Sequence, residues 1–166
     1  RDFLAGISSA WETEANNAIT HGIRVVVIRT GIVLAHGGGA LASMLLPFKM
    51  GVGGPMGSGK QWWSWIHRDD LVAICLRAIS DNEMVGVYNG TAPHPMRQGD
   101  FSTVLGKVLH RPAFLPTPAF ALKLALGGFS TELLTSKRVM PKRLQEAGFE
   151  FQYPELETAL RQALGR

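Results

Sequence analysis

Apolar positions along this chain change period several times, and each change marks the edge of an element. Between Ser8 or Ser9 and Ile19, the residues Trp11, Ala15, Ala18 and Ile19 recur at helical spacing, with a serine as cap and His21-Gly22 as the stop. This predicts an amphipathic helix with Trp11 on its packed face. Arg24 to Ile28, RVVVI, shows no alternation, and such a β-branched run is expected as a strand covered on both faces in a parallel sheet. The chain stays apolar through Leu34, passes His36 and three glycines, and then sets Leu41, Met44, Leu45 and Phe48 at i, i+3, i+4, i+7. That spacing gives a helix from Ala40 to Lys49, ended by the glycines between Gly51 and Gly59.

Asp69 or Asp70 opens the next helix, to about Ile79, with acid at its positive end. As neighbours entering a helix the two carboxylates diverge, so they are expected to cap it rather than act as a pair. Cys75 falls on what reads as the buried side. Val85 to Tyr88 is a short strand, and Asn89-Gly90-Thr91 turns out of it. Two helix-to-strand passages around a glycine-rich excursion predict an α/β unit over residues 1–92 with an inserted lobe. Beyond Pro93 small helices with proline punctuation predict a helical cap over residues 93–166: Asp100 to His110, Pro118 to Leu126, Thr131 to Thr135, Pro141 to Ala147, and Pro154 to Leu164, with Phe149–Phe151 as a short strand. Parallel sheets usually hold roughly five or six strands. With only two core strands here, further elements are expected before residue 1.

Composition narrows the function classes. A chain of 166 residues with 46% apolar and 18% charged residues can bury a core, and no run reaches the length of a membrane span. The opening RDFLAGISSAWE lacks the layout of a secretory signal, so a soluble protein is expected. The net charge of +4 does not point to nucleic acid, because the basic residues are scattered and the cluster Lys137–Arg138 with Lys142–Arg143 stands without interleaved aromatics. One cysteine excludes a disulfide framework, and His21, His36, His94 and His110 lack metal-ligand spacing.

The stretch with the most chemistry is Gly57 to Asp70, GSGKQWWSWIHRDD. Three indoles in four positions, each with an N–H that wants a partner, read as the wall of a pocket or interface. His67 is read first as a structural histidine anchoring the turn before the helix, since no partner carboxylate is identifiable outside its own turn; its alternative is acid–base work. Gly54 to Lys60 matches the first seven positions of a phosphate-cradling loop, but Gln61 replaces the hydroxyl residue and no buried strand leads in. A flexible hairpin tip is the reading there. Gly37–Gly39 reads as a plain loop, and no G-x-S-x-G elbow occurs.

Trp11-Glu12, Arg24–Leu41, GGPMGSGKQWWSWIHRDDL at Gly53–Leu71 and YNGTAPHP at Tyr88–Pro95 together resemble the C-terminal half of an extended short-chain dehydrogenase/reductase. The nearest likeness is to the epimerase-like family with a C-terminal helical domain of unknown function, whose branch includes cyanobacterial and plastid proteins tied to cell or chloroplast division. RPAFLPTPAFALKLALGG and GFEFQYPELETAL resemble that domain, and the likeness covers nearly all of the chain. It implies the trailing half of a Rossmann-type doubly wound parallel sheet plus a mostly helical substrate domain, with NADP or NAD as cofactor of the full-length protein and the dinucleotide fingerprint before residue 1. Binding by this piece alone is then weak or absent. The resemblance places Thr30, Gly31, Ile32 and Val33 beside the nicotinamide, and Trp63, Trp65, His67 and Asn89 around the substrate. It implies a small-molecule ligand, leaves self-association open, and is compatible with a bacterial cytoplasm or a plastid.

Departures from the pattern carry equal weight. The family's Tyr-x-x-x-Lys should fall near the start of the first helix, where the best register puts Leu4 and Ser8; no catalytic residue is therefore assigned. Trp63 stands where sugar-nucleotide epimerases carry an Arg, and Ile32 where they carry an Asn. A pocket changed in this way is expected to favour an apolar or aromatic ligand. Two functions follow: the substrate-side half of an NAD(P)-dependent epimerase-like oxidoreductase, or a catalytically deficient NADP(H)-binding regulator of division.

Overall fold

A computed structural model describes residues 3–166. In chain order the elements are α1 (Phe3–Asn17), β1 (Val26–Thr30), β2 (Ile32–Leu34), α2 (Gly39–Lys49), β3 (Trp62–Trp63), β4 (Trp65–His67) and α3 (Arg68–Ser80). They continue with β5 (Gly86–Gly90), β6 (Met96–Arg97), α4 (Gln98–Leu109), α5 (Ala119–Leu126), α6 (Ser130–Leu134), α7 (Lys142–Glu146) and α8 (Leu156–Ala163). Strand β1 pairs in parallel with β5, Val26 opposite Gly86 and Thr30 opposite Gly90, as the β-branched run leads one to expect. β2 runs parallel to β4, and β3 antiparallel to β6.

The run at 24–28 is displaced toward its C-terminus. Arg24 is no strand residue; its guanidinium donates to the carbonyls of Ala78 and Ile79 in the last turn of α3, at 2.8 and 3.1 Å, and to that of Met84 beyond it, at 3.0 Å. Nor is β1 covered on both faces: Val26 to Ile28 are half-buried, Arg29 and Thr30 exposed. The edge of β1 opposite β5 carries no strand among the described residues. Helix α1 starts before Ser8 and buries none of its residues, so Trp11 is 73% exposed rather than packed. What ties α1 to the sheet is a pair of hydrogen bonds from Arg29 to the Glu12 carboxylate, each 2.7 Å, which holds the Glu12 carboxyl below its ordinary range.

Other boundaries also move. Asn89 and Gly90 lie within β5, not in a turn. α4 starts at Gln98, which puts Asp100 inside its first turn rather than at the cap, and α8 starts at Leu156. Phe149–Phe151 forms no strand; the two rings meet edge to face, centroids 4.9 Å apart. Cys75 is exposed, because α3 turns Asp70, Ile74 and Ala78 inward and leaves Val72, Leu76 and Ile79 outside with it. α2 follows its periodicity, burying Leu41, Met44 and Phe48.

Two apolar clusters hold these elements. The larger joins Leu34, Leu41 and Phe48 to Trp63, Trp65, Phe101, Leu105 and Leu160, so residues on both sides of position 92 share it. The smaller joins Ile66, Ile74, Met84, Tyr88 and Leu144. Arg143 of α7 lies 4.0 Å from the centre of the Tyr88 ring and donates to the carbonyls of Val85 and Val87, closing the outer border of β5. Among the described residues no helix is long and apolar enough to cross a membrane.

Candidate functional site

At the carboxyl ends of β1 and β5 the backbones pack closely. Gly31 N–H donates to Gly90 O at 3.1 Å, and Ile32 N–H to Ser64 O at 2.9 Å, so the β1–β2 junction stitches the two parallel pairs together. A Cβ on Gly31 would stand 2.6 Å from Ser64 O and 3.0 Å from Thr91 Cγ2, and only glycine fits there. Ser64 accepts from Val139 N–H at 2.8 Å and donates to Lys137 O at 2.9 Å, while Asn89 Nδ2 donates to Met140 O at 3.0 Å. The segment 137–140 is thus laid across the strand ends. Thr30 is exposed at this rim and Asn89 half-buried beside it. Open α/β sheets bind ligands outside such carboxyl ends.

Of the residues singled out by sequence, Thr30, Gly31, Ile32 and Asn89 meet here, with Ile32 in register with Trp65 and Val33 with Ile66. His67 sits two residues further along β4, opposite Leu34. Its Nδ1 accepts from Asp69 N–H at 3.2 Å, which makes it the cap of α3, and Nε2 lies 2.6 Å from Gln162 Oε1. An Nδ1 that accepts leaves Nε2 to donate to Gln162. The anchoring role read for His67 holds, and the capping role read for the aspartates passes to it. Asp70, fully buried, instead accepts from the backbone N–H groups of Gln152 and Tyr153 at 2.7 and 3.0 Å.

The indoles divide. Trp63 and Trp65 are 3% and 0% exposed, and each N–H finds a carbonyl, Leu133 at 3.1 Å and His94 at 3.0 Å. They are core side chains rather than an exposed wall, and distant backbone acceptors satisfy both indoles. Trp62 is partly exposed, with the Arg97 and Arg138 guanidinium groups 4.1 and 4.9 Å from its ring centre. The aromatic that Arg138 lacks in sequence is therefore supplied in space.

Gly54–Lys60 leads into β3 rather than a helix, which removes the phosphate-loop geometry. The loop is also no loose tip. Buried Gln98 accepts from Met56 N–H at 2.7 Å and donates to Ser102, whose hydroxyl donates to Gly54 O at 3.0 Å. Gln98 has no local pattern that flags it, and the partners of the Asp70 and Ser64 side chains lie 73 to 83 positions away in sequence. No group of residues able to hold a metal occurs among the described residues.

Residues 117–163 match the family model described as a domain of unknown function, DUF1731. The chain is 48% identical over 161 residues to the epimerase family protein SDR39U1 homolog of Arabidopsis thaliana, a chloroplastic protein, covering 97% of this chain and 46% of that one. It is 45% identical over 159 residues to an epimerase family protein of Staphylococcus saprophyticus, covering 96% and 53%. Among solved structures it is similar to human epimerase family protein SDR39U1 (isoform 2) with NADPH, at TM-score 0.82 and 40% identity over 86% of this chain and 49% of that one. A nucleoside-diphosphate sugar epimerase from Corynebacterium glutamicum matches at TM-score 0.79 and 33% identity, over 99% and 31%. The chain spans about half the length of the curated relatives it matches. These likenesses are to epimerase family proteins, and they establish the fold of this chain as Rossmann-type α/β.

Proposed function

We propose that this chain is the substrate-side half of an NADPH- or NADH-using, epimerase-like oxidoreductase. The observation that carries the reading is the junction at Gly31, where two parallel strand pairs meet with no side chain between them, in a chain similar to a human protein whose solved structure contains NADPH. The residues present fit a nicotinamide: Thr30 offers an exposed hydroxyl, and Asn89 Oδ1 keeps no partner among the described residues. The cofactor, when bound, supplies or takes a hydride. Thr30 to Val33 border it, Asn89 orients the ligand, and Trp63, Trp65 and His67 stiffen the wall from behind, dry and already hydrogen-bonded.

The bare edge of β1 and the apolar residues Val72, Leu76 and Ile79 of α3 support a sheet that continues in the whole protein, which would hold most of the dinucleotide. A groove of about 400 Å³ between Arg24, Val26, Ile28, Cys75 and Ile79 lies on that side. Leu4 and Ser8, standing where an acid–base pair is expected, favour a second reading, a protein that binds NADP(H) with little chemistry and acts as a regulator. Calorimetry with NADPH, on this chain and on a protein of the relatives' full length, tests the first: tight binding only by the longer protein is expected, and equal affinity overturns the division of labour. Loss of reduced-nicotinamide absorbance with carbonyl compounds supports the oxidoreductase; tight binding without turnover supports the regulator.

A further inference from the structure

After α2 the chain runs beside the segment that leads into α5. Thr117 N–H donates to Pro55 O at 2.8 Å and Gly57 N–H to Thr117 O at 2.9 Å, while a Cβ on Gly54 would collide with Leu115 O and one on Gly51 would touch Pro112. The inward residues of these segments are accounted for: Phe48 and Ala113 join the larger apolar cluster, and Leu122 is buried. The outward ones are not. Met50, Val52, Phe114, Leu115, Phe120 and Leu124 are all exposed, Phe114 to 77%, Phe120 to 73% and Leu124 to 88%. Apolar side chains grouped in this way mark an interaction surface. The apolar residues left outside on α3 belong to a helix packed on the smaller cluster instead.

The charge on these segments has one sign. No Asp or Glu occurs between positions 15 and 68 or between 101 and 131. Lys49 precedes Met50, Arg111 precedes Pro112 and Lys123 precedes Leu124, and all three cations are exposed. Among the described residues no carboxylate lies within ion-pair distance of any of them, whereas Arg29, Arg68, Arg77, Lys107 and Arg161 each face one.

Charge and shape together choose the occupant. A second copy laid face to face would set the cations against their own images with nothing to pair them. A partner helix needs a groove, but Phe114, Phe120 and Leu124 stand proud of the surface. A lipid surface accepts proud apolar tips between its headgroups, and an anionic one gains from each lysine or arginine beside them. We propose that the face formed by the end of α2, the segment 112–117 and α5 docks on an anionic membrane surface, lying on it without crossing. The docking face is separate from the strand ends and does not rest on the reading given there.

Co-sedimentation with vesicles of phosphatidylcholine, alone or mixed with phosphatidylglycerol, tests it. Binding to the mixed vesicles that falls as salt is raised is expected, with little to phosphatidylcholine alone. Phe120→Ser combined with Leu124→Ser should weaken it more than tenfold, and Lys49→Gln or Lys123→Gln roughly fivefold each. Leu76→Ser on α3 should leave it unchanged. Thermal unfolding checks each variant, and the two lysine variants carry the test if the double serine variant does not fold. Equal binding to phosphatidylcholine alone, or binding to neither vesicle, overturns the proposal. An equal loss in Leu76→Ser also overturns it, because adhesion would then run through α3. A vesicle-free dimer that the double serine variant dissolves assigns the face to a second copy, and saturable binding of an acidic amphipathic peptide without vesicle binding assigns it to a protein; either result overturns the lipid surface as the occupant.

Discussion

His67 donates from Nε2 to Gln162 Oε1 at 2.6 Å, joining the start of α3 to α8 across 95 positions of sequence. The same ring caps α3 through Nδ1 and lies 4.1 Å, centre to centre, from Tyr153. His67→Leu should therefore cost about 2–3 kcal/mol, one cap and one buried hydrogen bond. Gln162→Leu should cost about 1–2 kcal/mol by leaving the ring N–H unmet. Urea unfolding of both variants and their double checks this, and simple additivity would contradict the shared bond.

Asp70 makes a second tie over a similar span. Asp70→Ala would strand the N–H groups of Gln152 and Tyr153, at a cost of about 2–4 kcal/mol, and Asp70→Asn would keep one acceptor and lose less. Amide exchange at positions 152 and 153 should quicken in both, most in the alanine variant.

Glycine positions should separate sharply. Gly31→Ala puts a methyl into the Ser64 carbonyl and should destabilise by about 1–3 kcal/mol. Gly38→Ala meets open space in an extended backbone and should be nearly neutral. Melting temperatures measured side by side decide it.

Acid should loosen the contact between α4 and α8. Hydrogen bonds from Lys107, then Arg161, hold the Glu157 carboxyl below its ordinary 4.5. A carboxyl lowered by folding stabilises above its unfolded pKa, and that contribution fades as pH falls through the folded value. Stability of the parent chain should thus decline more steeply below about pH 4.5 than that of Glu157→Gln, which lacks the titration; parallel curves would count against it.

The sequence announces the elements whose reasons are local. The RVVVI run means strand, and the spacing of Leu41, Met44 and Phe48 means helix, because burial of one face writes a period into the chain. It could not show that Trp63 and Trp65 find carbonyls at Leu133 and His94, nor that His67 would meet Gln162, since those partners are set by tertiary packing. Cys75 lies outside rather than on the buried side for a related reason. α3 is apolar on two sides, and periodicity cannot tell which side its own chain covers.

The sheet has a direction of growth. At β5 the outward carbonyls of Val85 and Val87 are already taken by Arg143, whereas β1 has no such stopper. Within the β1–β5 pair the unoccupied margin is Val26–Thr30, so a lysine or proline introduced there should reduce self-association of the isolated polypeptide.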